Sequence, residues 1–134
     1  MSIIAMLGSL FGCQAQNSQD FRSVEVSEFE QVIADTAVVL VDVRTPEEYA
    51  EGHIAGAQNI DVKDAAFEKT ACRVLPKDRT IAVYCRSGRR SKMAAGILAA
   101  QGYTIVELNT GYLGWTGAGK EVTSHKAEVE VTKQ

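Results

Sequence analysis

The chain has 134 residues, of which 46% are hydrophobic, 23% charged and 7% aromatic, and its formal net charge is -3. That length and composition suit one globular domain with a real hydrophobic core, and the acidic balance argues against a nucleic-acid surface. Three cysteines (Cys13, Cys72, Cys85) and two histidines (His53, His125) share no metal-ligand spacing and form no disulfide scaffold, so no metal is expected.

Residues 1–13, "MSIIAMLGSLFGC", are apolar but too short to span a bilayer as a helix. They have the character of the hydrophobic part of an export signal without its usual basic start. "LFGC", 10–13, is similar to a bacterial lipoprotein cleavage box with Cys13 as the lipidated residue, and "QAQNSQD" after it reads as a polar tether. Residues 1–20 are therefore expected to be a lipoprotein-type signal and tether. This places the protein in the bacterial cell envelope or periplasm, touching the membrane only through a lipid anchor. Without that signal it would be cytoplasmic.

The folded domain is expected over 21–123. In "VEVSEFEQVIADT" a capping box, Ser27 with Glu30, predicts a helix whose apolar face carries Phe29, Val32 and Ile33. "AVVLVDV", 37–43, hardly alternates, as expected of a strand buried on both faces of a parallel sheet. Thr45, Pro46 and Glu48 form a second helix start. "GHIAGAQNI" reads as a loop entering a short strand at 57–60. Residues 64–74 are predicted helical, with Phe67 and Val74 inward and Cys72 on the same segment. "TIAVYC", 80–85, is another buried strand. "SKMAAGILAAQG" is a helix with Gly102 just past its end, and "YTIVEL", 103–108, is a further strand. "NTGYLGWTGAGKEV" closes the domain as a Gly-rich loop or short helix, with Trp115 in the core. Residues 124–134 are a charged tail. Alternating strands and helices predict a three-layer α/β/α domain with a mainly parallel central sheet.

The chemistry concentrates in "YCRSGRRS", 84–91. Cys85 sits at the C-terminal edge of a predicted strand, where open parallel sheets build ligand sites. Gly88 permits a sharp turn, and successive N–H groups with a helix N-terminus make an anion nest. Arg86, Arg89 and Arg90 add charge. All of this favours thiolate over thiol. An exposed thiolate in such a cradle can attack a sulfur or phosphorus centre.

At this point the chain resembles the rhodanese family in its single-domain form, over about residues 22–122. The resemblance rests on "VDVRTPEEYAEGHIAGAQNI" (41–60), "YCRSGRRS" and "GYLGWTGAGKEV", in the family's order. It implies a thiosulfate sulfurtransferase that needs no cofactor. Cys85 would take sulfane sulfur from a small anionic donor, become a persulfide, and pass the sulfur to cyanide, a small thiol or a protein thiol. The loop of Cys85, Arg86, Ser87, Gly88, Arg89 and Arg90 would cradle the outer sulfur, with Arg90 closing it and tying it to the domain. Asp42 and Arg44 match a charged pair expected to position the site, and His53 a mainly structural histidine. Related phosphatases and arsenate reductases use cysteine, five residues, then arginine. Here that arginine position is Ser91, and the smaller ring suits sulfur better than phosphate. A binding or persulfide-carrier module is the other class. Cys72 is expected to pack in the core; a disulfide with Cys85 would need a Cα separation below about 7 Å. Thr110 replaces the first of two glycines the family often has before the last segment. A monomer is the default expectation.

Overall fold

The computed structural model of the chain describes residues 20–124. Five strands, β1 (Arg22–Val24), β2 (Val39–Asp42), β3 (Gln58–Asn59), β4 (Ile81–Tyr84) and β5 (Ile105–Leu108), form one sheet in the order β1-β5-β4-β2-β3. Every pairing is parallel; Val39–Asp42 run beside Ile81–Tyr84, and Ile81–Val83 beside Ile105–Glu107. Five helices accompany them: α1 (Val26–Ile33), α2 (Pro46–Glu51), α3 (Phe67–Val74), α4 (Arg89–Ala100) and α5 (Gly111–Gly117).

The unbroken apolar runs become central strands because helices cover both sheet faces. Ile81, Val83 and Cys85 join Phe67, Ala71, Ala94, Ala95 and Leu98 in one core. Ala82 and Tyr84 join Phe29, Val106, Leu108 and Trp115 in the other. The period-two alternation of strand side chains thus splits one short sequence between two cores. The result is the three-layer α/β/α arrangement that the strand and helix pattern predicted.

Three details differ from the sequence expectations. First, β1 was not anticipated. Arg22–Val24 pair with Val106–Leu108, and the chain then turns directly into α1. Glu25, extended at φ -85° and ψ 175°, holds the cap position, so Ser27 lies inside the first turn. Second, the inward line of α3 is Phe67, Ala71 and Leu75, spaced by four, which leaves Val74 44% exposed. Third, α3 starts at Phe67. Asp64 shapes an Asx turn before it, accepting the Ala66 N–H at 2.8 Å.

The second helix start is as expected. Thr45 accepts the Glu48 N–H at 3.3 Å, and the Glu48 carboxylate accepts the Thr45 N–H at 3.1 Å. Gly102 takes a φ of 96° just beyond α4, as its place in the sequence anticipated. Trp115 is buried, edge-on to Phe29, and donates to the Glu121 carbonyl at 2.8 Å.

Candidate active site

Cys85 follows β4 by one residue, and α4 begins four residues later. The intervening turn depends on Gly88, whose φ is 104°; a Cβ there would lie 2.0 Å from the Asn109 carbonyl oxygen. The Gly88 N–H points back at Cys85 Sγ, 3.1 Å away. The loop therefore wraps around the sulfur.

The start of α5 clamps the loop from the other side. Tyr112 N–H donates to the Cys85 carbonyl at 2.8 Å and Leu113 N–H to the Arg86 carbonyl at 3.0 Å. Gly111, at φ 65°, makes this approach possible, because a Cβ would stand 2.5 Å from the Arg86 oxygen. Thr110 is accommodated against Gly114, where any Cβ would collide with the threonine hydroxyl. The threonine found in place of a glycine thus leaves the clamp intact.

The sequence led us to expect an exposed Cys85. In the structure the residue is 1% exposed, at the base of the loop. Arg86, Ser87 and Arg89 are exposed on the rim above it. Arg90 turns instead toward α2, giving Glu48 two hydrogen bonds of 2.8 and 3.0 Å. Those bonds, against some opposing burial, hold the Glu48 carboxyl at about 2 and raise the Arg90 pKa. Glu48 therefore caps its own helix and anchors the loop together, a second role that the capping signature did not reveal.

Asp42 and Arg44 form a buried pair below this layer. The guanidinium grips both carboxylate oxygens at 2.7 to 3.1 Å and donates to the Gly52 carbonyl at 2.6 Å. Burial works against the Arg44 charge, but Asp42 outweighs it and its pKa is raised. The same guanidinium lies 4.2 Å from the ring centroid of Tyr112, whose backbone clamps the loop. His53 is fully buried, stacked on Tyr49 at 3.8 Å, with Nδ1 2.8 Å from the Tyr49 carbonyl and its backbone bridged to Thr123. Cys72 and Cys85 are free thiols, and Cys72 packs against the core. Cys13 lies outside the described residues.

Two buried polar residues beside Cys85 were not singled out as functional from sequence. Ser91 Oγ is 3.3 Å from Cys85 Sγ, and its hydroxyl donates to Glu107 at 2.5 Å. Both residues are fully buried. The signal available was a lone glutamate in "TIVEL", an otherwise apolar strand. A separate apolar groove of about 590 Å³ runs along α4 past Phe21, Met93 and Ile97; residues 85–90 do not line it. Among the described residues, no helix is long and apolar enough to cross a membrane.

Comparison with known proteins places this geometry in a family. Residues 25–118 match the rhodanese-like domain model. The chain is 47% identical over 67 residues to the thiosulfate sulfurtransferase PspE of Escherichia coli, a match covering 50% of this chain and 64% of that protein. It is 35% identical over 103 residues to a sulfurtransferase of Allochromatium vinosum, covering 75% of this chain and 94% of the relative. Among solved structures, a rhodanese-related protein from Thermoplasma volcanium superposes with a TM-score of 0.66 at 30% identity, covering 77% of this chain and 98% of the other. The α/β fold, the loop around Cys85 and these matches agree: the chain belongs to the rhodanese-like domain family.

Proposed function

We propose that this rhodanese-type sulfurtransferase moves sulfane sulfur from thiosulfate or a related anionic donor through a persulfide on Cys85. The observation that carries the reading is the loop itself. Cys85 Sγ sits inside a turn whose Gly88 N–H points at it, at a strand end, with Arg86 and Arg89 exposed above. The Cys85 sulfur, giving up its thiol proton, attacks the outer sulfur, and sulfite leaves with the electron pair of the broken S–S bond. Backbone N–H groups of residues 86–90 receive the outer sulfur, and the rim arginines draw the dianion in. Cyanide or a thiol then takes the sulfur and regenerates the cysteine.

Arg90 serves this chemistry by holding the loop to Glu48. Asp42 and Arg44 support Tyr112, which clamps the Cys85 carbonyl. We assign His53 a structural role, since it is fully buried and stacked on Tyr49, with its backbone bridged to Thr123. Envelope residence through Cys13, and with it a protein thiol as acceptor, belongs to the same proposal and rests on residues 1–20 of the sequence. The test of the activity is thiocyanate formation from thiosulfate and cyanide by the purified full chain. Turnover that disappears in C85S supports the reading. A folded protein that forms no thiocyanate while binding a thiol partner would favour the carrier module instead.

A further inference from the structure

Glu107 takes no part in the chemistry above, yet it is a fully buried acid in the central layer. An ionised carboxylate is expensive to bury, and an apolar residue would suit a strand covered on both faces. Its oxygens accept from Ser23 Oγ at 2.6 Å and Ser91 Oγ at 2.5 Å. Lys92 Nζ stands 3.4 Å away. Ser91 has one hydroxyl proton. With that proton committed to Glu107, it offers Cys85 Sγ only lone pairs. The 3.3 Å contact is then a thiol donating to Ser91, and the three side chains form one donor chain from sulfur to carboxylate.

Resting on the sulfurtransferase reading, we propose that Ser91 and Glu107 are a buried proton store for Cys85. As Cys85 attacks its donor, the S–H bond breaks and an O–H bond forms on Ser91. The original Ser91 O–H breaks as one forms on Glu107 Oε2. Cys85 Sγ keeps the electron pair and uses it to bond the outer sulfur, while sulfite leaves with the electrons of the thiosulfate S–S bond. When an acceptor removes the outer sulfur, the cysteine regains a pair and the proton can return by the same path. The carboxylate charge thus disappears as the anionic persulfide appears, which avoids two neighbouring buried anions.

The surroundings suit this exchange. From α4, Lys92 holds the Glu107 charge in the resting thiol, with further bonds to the Gly88 carbonyl and to Asn109 at 3.2 and 2.8 Å. From β1 comes the neutral Ser23. Glu25, beside α1, is bound by Asn109. On the loop side Arg90 is committed to Glu48, Arg86 and Arg89 are exposed, and Asp42, at the end of β2, is paired with Arg44. Ser91 touches the reacting sulfur; Glu107 acts through it and is a positioning residue.

The test loads the full wild-type chain with thiosulfate and, in parallel, with polysulfide, and confirms the added sulfur by intact mass. The infrared difference spectrum between loaded and unloaded protein should then show a carboxylic-acid C=O band. The band should vanish in E107Q and S91A and return in S91T. E107Q and S91A should slow persulfide formation by about tenfold or more, and E107Q should release to solvent a proton that wild type retains. A persulfide seen by mass without the acid band overturns this proposal alone, as does a band that survives in E107Q. No added sulfur from either donor overturns the sulfurtransferase reading and this one with it. The wild-type spectrum decides the matter even if a variant fails to fold.

Discussion

Replacing Glu48 by Gln removes the charge that ties α2 to the loop while keeping the side chain's size. The Glu48 carboxyl sits at about 2 in the folded protein against an ordinary 4.5, chiefly because Arg90 donates two hydrogen bonds to it. At about 1.4 kcal/mol per pH unit, that difference unscreened is ~3 kcal/mol. The Arg90 and Glu48 side chains are 19% and 27% exposed, so solvent reaches the pair. Screening leaves about 1–2 kcal/mol, above a fully exposed ion pair because the geometry is bidentate. Folding lowers this carboxyl below its unfolded value. Its stabilisation is therefore complete above about pH 5 and drains away as pH falls through 4.5 toward 2. The assay is urea unfolding of wild type, E48Q, R90M and the double variant at neutral pH, then of wild type and E48Q at falling pH. A coupling energy of about 1–2 kcal/mol is expected, with the wild-type advantage shrinking in acid. Coupling below ~0.3 kcal/mol together with parallel pH curves would refute the reasoning.

Other substitutions probe the loop more directly. G88A should cost more than about 2 kcal/mol and abolish sulfur transfer, since its Cβ meets the Asn109 carbonyl at a positive φ; thermal unfolding and turnover check this together. G111A should lose activity by the same logic, because its Cβ enters the Arg86 carbonyl. R86A and R89A should leave the melting temperature nearly unchanged and raise the KM for thiosulfate several-fold, an effect that fades in high salt. C72A should cost about 1 kcal/mol from lost packing and leave persulfide formation on Cys85 intact, as read by mass.

The central architecture was legible because buried parallel strands carry a crude, strong signal. "AVVLVDV", "TIAVYC" and "YTIVEL" are too apolar to face water, and each is followed by a helix or turn mark. The capping box at Thr45 and the glycine after α4 were readable for the same local reason. β1 was missed because a three-residue edge strand of Arg, Ser and Val has no periodicity to detect; only its pairing with β5 makes it a strand. The site divides similarly. The sequence marks Cys85, Gly88 and the arginines through spacing within one loop. The resemblance marks Arg90 as the arginine tied to the domain, but loop spacing does not name its partner, because Glu48 lies some 40 residues away in the chain. Ser91 and Glu107 are separated by 16 residues and meet only when α4 packs on β5. Burial of Cys85 was also hidden, because the core cluster it joins draws on α3 and α4, far from it in the chain or beyond its own loop.

The most direct measurement is intact mass of the purified full chain before and after thiosulfate, beside C85S. A gain of one sulfur on wild type, reversed by a reductant and absent in C85S, is the predicted result. A wild-type protein that is folded, offers a free Cys85 thiol and gains no sulfur would contradict it.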